Sequence, residues 1–278
     1  METFQLSEKL LKKIADLISA KKNTPLKKIV KDIHFADMAE IINELNEQQG
    51  IYLIKLFDSE KTSEILTELD EDVREKILKA LSVKEIADEI EELDSDDAAD
   101  ILGELSDERK EEVISEISDD NLADDLKELL SYEEDSAGGL MAKELVQANE
   151  NWSVTKCLKE IKKQGENVTR VHSIYVVDDK QKLIGRLSLK DLITSPAKNL
   201  IKDIYIPKVD SVNVYDDGEE VAKIMSKYDL EAIPVIDNKK QLVGRITIDD
   251  IVDFIKEEAE EDYLLAAGVQ GDVEADDS

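Results

Sequence analysis

The chain has 278 residues, 36 of them basic and 67 acidic, for a formal net charge of −31 with 41% hydrophobic residues. That length and apolar content suit two or three domains with real cores. The charge makes nucleic acid and anionic membrane surfaces poor partners and multivalent cations natural ones.

One cysteine, Cys157, excludes a disulfide framework and a cysteine-based zinc site, and the two histidines, His34 and His172, have no metal-ligand spacing. No apolar run approaches the roughly 18 residues of a membrane-spanning helix, and METFQLSEKLLKKI lacks the pattern of a secretion signal. No nucleophile–base pair, phosphate-binding loop or zinc motif is present, so an enzyme is not expected. The charge is uneven: residues 1–33 carry 8 basic and 4 acidic side chains, residues 34–135 carry 9 and 35, and residues 136–278 carry 19 and 28.

Residues 4–22 place Phe4, Leu6, Leu10, Leu11, Ile14, Leu17 and Ile18 at helical spacing. Asn23-Thr24-Pro25 breaks that pattern, and Pro25 is suited to open a second short helix. From His34 the chain repeats with a 24-residue period, in units 34–57, 58–81, 82–105 and 106–129. Four columns of the repeat are wholly apolar, among them Ile54/Leu78/Leu102/Leu126. The first column is His34/Asp58/Ser82/Ser106 and the thirteenth is Asn46/Asp70/Asp94/Ser118, mostly good helix N-caps. Each unit is therefore expected to be two short capped helices that must stack to bury their apolar stripes. Any one carboxylate here is first read as solvated surface. Asp96 and Asp100, however, share a helix face, where like charges repel and a bound cation would relieve them. Asp119-Asp120, Asp124-Asp125 and Glu133-Glu134-Asp135 are further acidic clusters.

Helical periodicity ends at SYEEDSA and Gly138-Gly139. Beyond it, Ile174–Ile193 and the stretch 59 residues later match at eight of twenty positions, including Gly185/Gly244, Arg186/Arg245 and Asp191/Asp250. Each copy reads strand, helix, strand, strand, helix, with Thr194-Ser195-Pro196 between them. Cys157 falls on the first helix with nothing nearby to activate it, and reads as a structural thiol.

This tandem pattern resembles a pair of CBS domains. In that family the ribose of an adenosine nucleotide is held by an aspartate in a Ser/Thr-x-x-Asp element, which Ser188–Asp191 and Thr247–Asp250 match; the same aspartates equally suit a helix start. An acidic helical repeat, then YEEDSAGGLM, a CBS pair and EEAEEDYLLAAGV together resemble the cytosolic region of MgtE-type magnesium transporters. The fold class implied is multidomain α and α/β: an N-terminal all-α superhelix of short repeats followed by a tandem CBS pair. The expected divisions are an amphipathic segment (1–33), the acidic repeat domain (34–130), the two CBS domains (138–198 and 199–256), and the start of a connecting helix with an acidic tail (257–278).

The resemblance implies a Mg²⁺-sensing regulatory region that closes on Mg²⁺ at acidic interdomain sites. Its ligands would be Asp250 and Asp253 facing the helical domain; Glu258, Glu261 and Asp262 towards the connecting helix; Asp229 and Glu219; and, in the repeats, Asp96, Asp100 and Glu64. Because only the second copy continues as DDIVDFIKEEAEED, Asp250 is assigned to the cation and Asp191 to a possible nucleotide such as ATP. The resemblance further implies a homodimer through the CBS domains, a membrane channel domain C-terminal to this chain, and a place on the cytoplasmic side of the membrane. The sequence itself ends at GDVEADDS without a membrane segment, as a soluble chain: either part of a longer transporter or a stand-alone relative. Two other readings stay open, a nucleotide sensor and an acidic scaffold for a basic protein.

Overall fold

The computed structural model describes residues 4–165, 168 and 170–266; from residue 260 on it gives the backbone and the Tyr263 side chain. The chain divides into two compact units, Met1–Lys127 and Glu128–Ser278.

The first unit is helical throughout. Helix α1 (Glu8–Ser19) is capped by the Ser7 hydroxyl and α2 spans Asn23–Val30. The break between them lies at Ala20–Lys22, earlier than Asn23-Thr24-Pro25. Lys21 takes a left-handed φ of 51°, and the amides of Lys21 and Lys22 close onto the Ile18 and Leu17 carbonyls. Pro25 fits inside the first turn of α2, where its missing N–H has no intrahelical partner to lose.

Each 24-residue unit then gives two helices of 8 to 10 residues: α3 (Phe35–Asn43) and α4 (Glu47–Ile54), α5 (Ser59–Thr67) and α6 (Glu71–Ala80), α7 (Val83–Ile90) and α8 (Ser95–Gly103), α9 (Asp107–Glu116) and α10 (Asp120–Leu129). His34, Asn46, Asp58, Asp70, Ser82, Asp94 and Ser106 all stand at N-cap positions. His34 serves with its ring, Nδ1 accepting from the Ala36 amide at 3.3 Å. Asn46 and Ser82 form reciprocal capping boxes with Gln49 and Glu85. The last repeat departs by a residue: α10 starts at Asp120, and Asp119 rather than Ser118 accepts from the Asn121 amide at 2.8 Å. Helices two apart pack together, α3 on α5, α5 on α7, α7 on α9 and α4 on α6, with α1 against α2 and α4. The column Ile54, Leu78, Leu102 and Leu126 is buried in full.

The second unit holds both copies of the duplicated module. The first consists of β1 (Val146–Asn149), α11 (Val154–Gln164), β2 (Ile174–Val177), β3 (Leu183–Leu187) and α12 (Leu189–Thr194). A two-residue strand, β4 (Ile206–Pro207), follows. The second copy has β5 (Val212–Asn213), α13 (Gly218–Tyr228), β6 (Ala232–Ile236), β7 (Leu242–Thr247) and α14 (Ile248–Ala266). β1 runs parallel to β2 and β2 antiparallel to β3, while β5, β6 and β7 repeat that arrangement. The expected fold class is thus the observed one.

The copies are interlocked. β4, leading into the second copy, pairs with β3 of the first, and Ala142, leading into the first, exchanges two backbone hydrogen bonds of 2.8 and 2.9 Å with Arg245 of β7. Glycine makes both crossings possible. A Cβ on Gly185 would lie 2.4 Å from the Ile206 carbonyl oxygen, and one on Gly244 would lie 2.6 Å from Met141 Sδ. The hairpin tips also pair, Leu183 donating to Lys240 and Leu242 to Gln181.

Candidate functional site

The expected cation ligands sit on helix surfaces and helix ends. Glu64 is exposed on α5; Asp96 is half-buried and Asp100 exposed on α8, with Asp96 Oδ1 accepting from the Asp97 amide at 3.0 Å. In the second unit, Glu219 lies in the first turn of α13, exposed and 2.7 Å from Lys223 Nζ. Asp229 ends the same helix in a left-handed conformation, φ 51° and ψ 49°. Asp250 and Asp253 lie one turn apart on α14. Asp250 is half-buried, while exposed Asp253 is 2.6 Å from Lys256 Nζ. Glu258 is half-buried further along. The side chains of Glu261 and Asp262 lie outside the described residues, as does the tail from residue 267 onward. Among the described residues no three histidine, cysteine, aspartate or glutamate side chains converge into a metal-holding group.

The two Ser/Thr-x-x-Asp elements form alike. Ser188 Oγ donates to Asp191 Oδ2 at 2.6 Å and accepts from the Asp191 amide at 3.0 Å. Thr247 Oγ1 donates to Asp250 Oδ2 at 2.6 Å, and its amide to the same oxygen at 2.9 Å. Each aspartate therefore helps to fix the start of a helix.

Between the copies lies a narrow crevice with almost no room for a water-sized molecule. Val146, Val168, Arg170, His172 and Tyr175 of the first copy line it together with Arg245 of the second. Asp191 is not among its lining residues. The Tyr175 ring is 2% exposed and its hydroxyl has no hydrogen-bond partner among the described residues; burial pushes its pKa to about 12. Arg245 Nε donates to the Glu144 carbonyl at 2.5 Å. At the edge of the crevice, partial burial resists ionisation of Asp249, but hydrogen bonds at the helix start and the charges of His172 and Arg170 hold its carboxyl below the usual range. These basic groups are scattered in sequence and meet only through the interlocked fold.

The MgtE intracellular N domain matches residues 33–135 and the CBS domain matches residues 137–198 and 201–257. The cytosolic domain of the Mg²⁺ channel MgtE in complex with ATP superposes with a TM-score of 0.80 at 31% identity, over 88% of this chain and 99% of that one. This chain belongs to the MgtE family. The N-domain match begins at residue 33 and runs past the end of the first unit, and both CBS matches fall in the second. The soluble part of a magnesium transporter gives a TM-score of 0.76 at 29% identity, over 91% of this chain and 99% of that one.

Among full-length relatives, the magnesium transporter MgtE of Thermus thermophilus is 42% identical over 134 residues, 48% of this chain and 30% of that protein. That of Enterococcus faecalis is 41% identical over 141 residues, 51% of this chain and 31% of that protein. The aligned stretches thus cover less than a third of these MgtE proteins. Among the described residues no helix is long and apolar enough to cross a membrane.

Proposed function

We propose that this chain is the Mg²⁺-sensing regulatory region of a magnesium transporter, a non-catalytic part that closes when Mg²⁺ is held by carboxylates of the N domain and the CBS pair together. The observation that carries this reading is the asymmetry of the duplication. α12 ends after six residues, whereas its counterpart α14 runs for 19 residues and carries Asp250, Asp253 and Glu258. Mg²⁺ is a hard ion that takes oxygen ligands and keeps several waters, so carboxylates on separate elements can share it without forming a tight cage. It biases the two-position equilibrium of the N domain by binding one position better than the other. Small-angle scattering of the chain with and without millimolar MgCl₂, against NaCl of equal ionic strength, tests this. Compaction specific to Mg²⁺ and lost in Asp250→Asn/Asp253→Asn is expected, and equal curves would refute it.

The resemblance to a transporter also proposes partners: a membrane channel domain, which would place the region on the cytoplasmic side of the membrane, and a second copy of the chain. Duplicated positions on α12 and α14, Leu189/Ile248 and Ile193/Val252, are all exposed and apolar, an arrangement suited to a homodimer. Sedimentation equilibrium should give a dimer that Ile193→Lys/Val252→Lys converts to monomer.

A second reading, an adenosine-nucleotide site, draws on Arg170, His172, Arg245 and the unpartnered Tyr175 hydroxyl between the copies, where the crevice would have to widen to admit a ligand. Calorimetric titration with ATP and AMP tests it. Arg170→Ala and Asp191→Ala separate this crevice from the Ser188–Asp191 element, and flat titrations of the unmodified chain would exclude both.

A further inference from the structure

Glu89 breaks the rule of its column. The eighth position of the four repeats is Ile41, Ile65, Glu89 and Val113. The three apolar members are 0% exposed, and Glu89 is 9% exposed. Its carboxyl therefore occupies a core position of α7, a helix packed against α5 and α9. Oε2 is shut off from solvent and has no hydrogen-bond partner among the described residues.

The charges around it are of the wrong sign. Asp88, Glu92 and Glu85 press on it from α7 and the turn that follows, and Asp58 from the start of α5. The cations of the neighbouring elements are engaged elsewhere. Lys55 pairs with Glu85 at 3.1 Å, and Lys61 donates to the Val30 and Ile33 carbonyls. On α9, Arg109 donates through Nη2 to the Leu78 and Leu81 carbonyls while its buried Nε has no hydrogen-bond partner among the described residues, and Lys110 lies 3.9 Å from Asp107. A carboxyl in such a place stays neutral well above its ordinary range. Burial is the larger cause, the four acidic neighbours add to it, and together they raise the pKa to about 8.

We propose that Glu89 is a proton-operated latch in the α5–α7–α9 row: neutral, it completes the core, and ionised, it loosens α7 from its neighbours. The latch works on the alkaline side of neutrality. The folded pKa lies above the value of about 4.3 expected for the unfolded chain. The stability associated with the neutral carboxyl is therefore whole below that value and is lost as pH rises through about 8.

The test uses the full chain in the presence of a chelator. Carbon-13 labelling follows the Glu89 carboxyl directly, assigned by through-bond transfer from its own amide so that no variant is needed. Urea unfolding, read by circular dichroism from mildly acidic to alkaline pH, follows the consequence. The Glu89 resonance should titrate near pH 8. The unfolding midpoint of the helical unit should fall with rising pH in the wild type and fall less in Glu89→Gln. Glu89→Ile, which restores the column, should flatten the profile equally and raise the folding constant at neutral pH by roughly tenfold or more. A Glu89 resonance that titrates with the exposed glutamates would overturn the proposal. So would a Glu89→Gln protein that keeps the wild-type pH dependence.

Discussion

At the scale of single residues, three cations of the repeats, Lys61, Arg74 and Arg109, reach carbonyls left over at the ends of other helices. Lys61 and Arg109 occupy the same repeat position two units apart, and each reaches carbonyls 31 and 28 residues back. At that position in the unit between them, Glu85 instead accepts from Lys55 at 3.1 Å. Arg74 does the most. Its guanidinium donates to the Leu66, Thr67 and Leu69 carbonyls and pairs with Glu104, both side chains being 16% exposed. Burial pushes the Glu104 carboxyl upward, and Arg74 opposes the shift. Arg74→Ala strands three carbonyls and a buried acid, so it should destabilise the unit by about 3 kcal/mol in urea unfolding. Arg74→Met/Glu104→Leu removes both charges together and should recover much of that loss, because the stranded carboxylate is gone. Cys157 is a simpler case. Its thiol is buried and desolvation pushes it up to about 11, so an aromatic disulfide reagent should leave it unmodified until the chain unfolds.

At the scale of elements, much of the architecture is written locally. Caps at fixed columns, the apolar stripe at Ile54, Leu78, Leu102 and Leu126, and the duplicated strand–turn–strand all depend on neighbours a few residues away. The duplication extends to backbone detail: Gln181 and Lys240 both turn with positive φ, 62° and 64°, above Asp178 and Asp237, which accept the same pair of turn amides. What periodicity could not show is non-local. Nothing near Ile206 or Ala142 announces that each lead-in pairs with the other copy's sheet, or that Arg170 and Arg245 will share a crevice. The carboxylates were equally visible as residue types, but whether any of them can share an ion depends on contacts that spacing does not encode. The crossings themselves can be tested. At Gly185 an added methyl meets the Ile206 carbonyl oxygen at 2.4 Å, whereas at Gly244 it meets Met141 Sδ at 2.6 Å and backbone only at 2.9 Å, the Ala142 carbonyl oxygen. Gly185→Ala should therefore destabilise the CBS unit by about 2 kcal/mol or more, and Gly244→Ala by less. Equal losses in chemical denaturation would mean that the two crossings are equally rigid.

At the scale of the whole molecule, charge separates the two halves. Residues 34–135 carry 35 acidic and 9 basic side chains, whereas residues 136–278 carry 28 and 19. Many of the acidic side chains in the repeats are exposed, and such charges repel over a screening length of about 10 Å at 0.1 M salt and more at lower salt. Repulsion then opposes the compact form of the repeats more than that of the CBS pair. Among the described residues, the ion pairs of the repeats are mostly surface contacts one turn apart, Lys76–Asp72, Lys79–Glu75 and Lys127–Asp124, each worth little. Screening should weaken repulsion more than it weakens those pairs. Raising NaCl in the presence of a chelator should therefore stabilise the helical unit by roughly 1 kcal/mol, a rise of about 5 °C in its melting midpoint, with a smaller rise for the CBS unit. Thermal unfolding followed in the far ultraviolet for the helices, and by Trp152 fluorescence for the CBS pair, separates the two. A midpoint for the repeats that falls with salt would show that ion pairs outweigh repulsion there. The NaCl curve also sets the baseline for Mg²⁺: only stabilisation beyond it, at equal ionic strength, belongs to ligation rather than to screening.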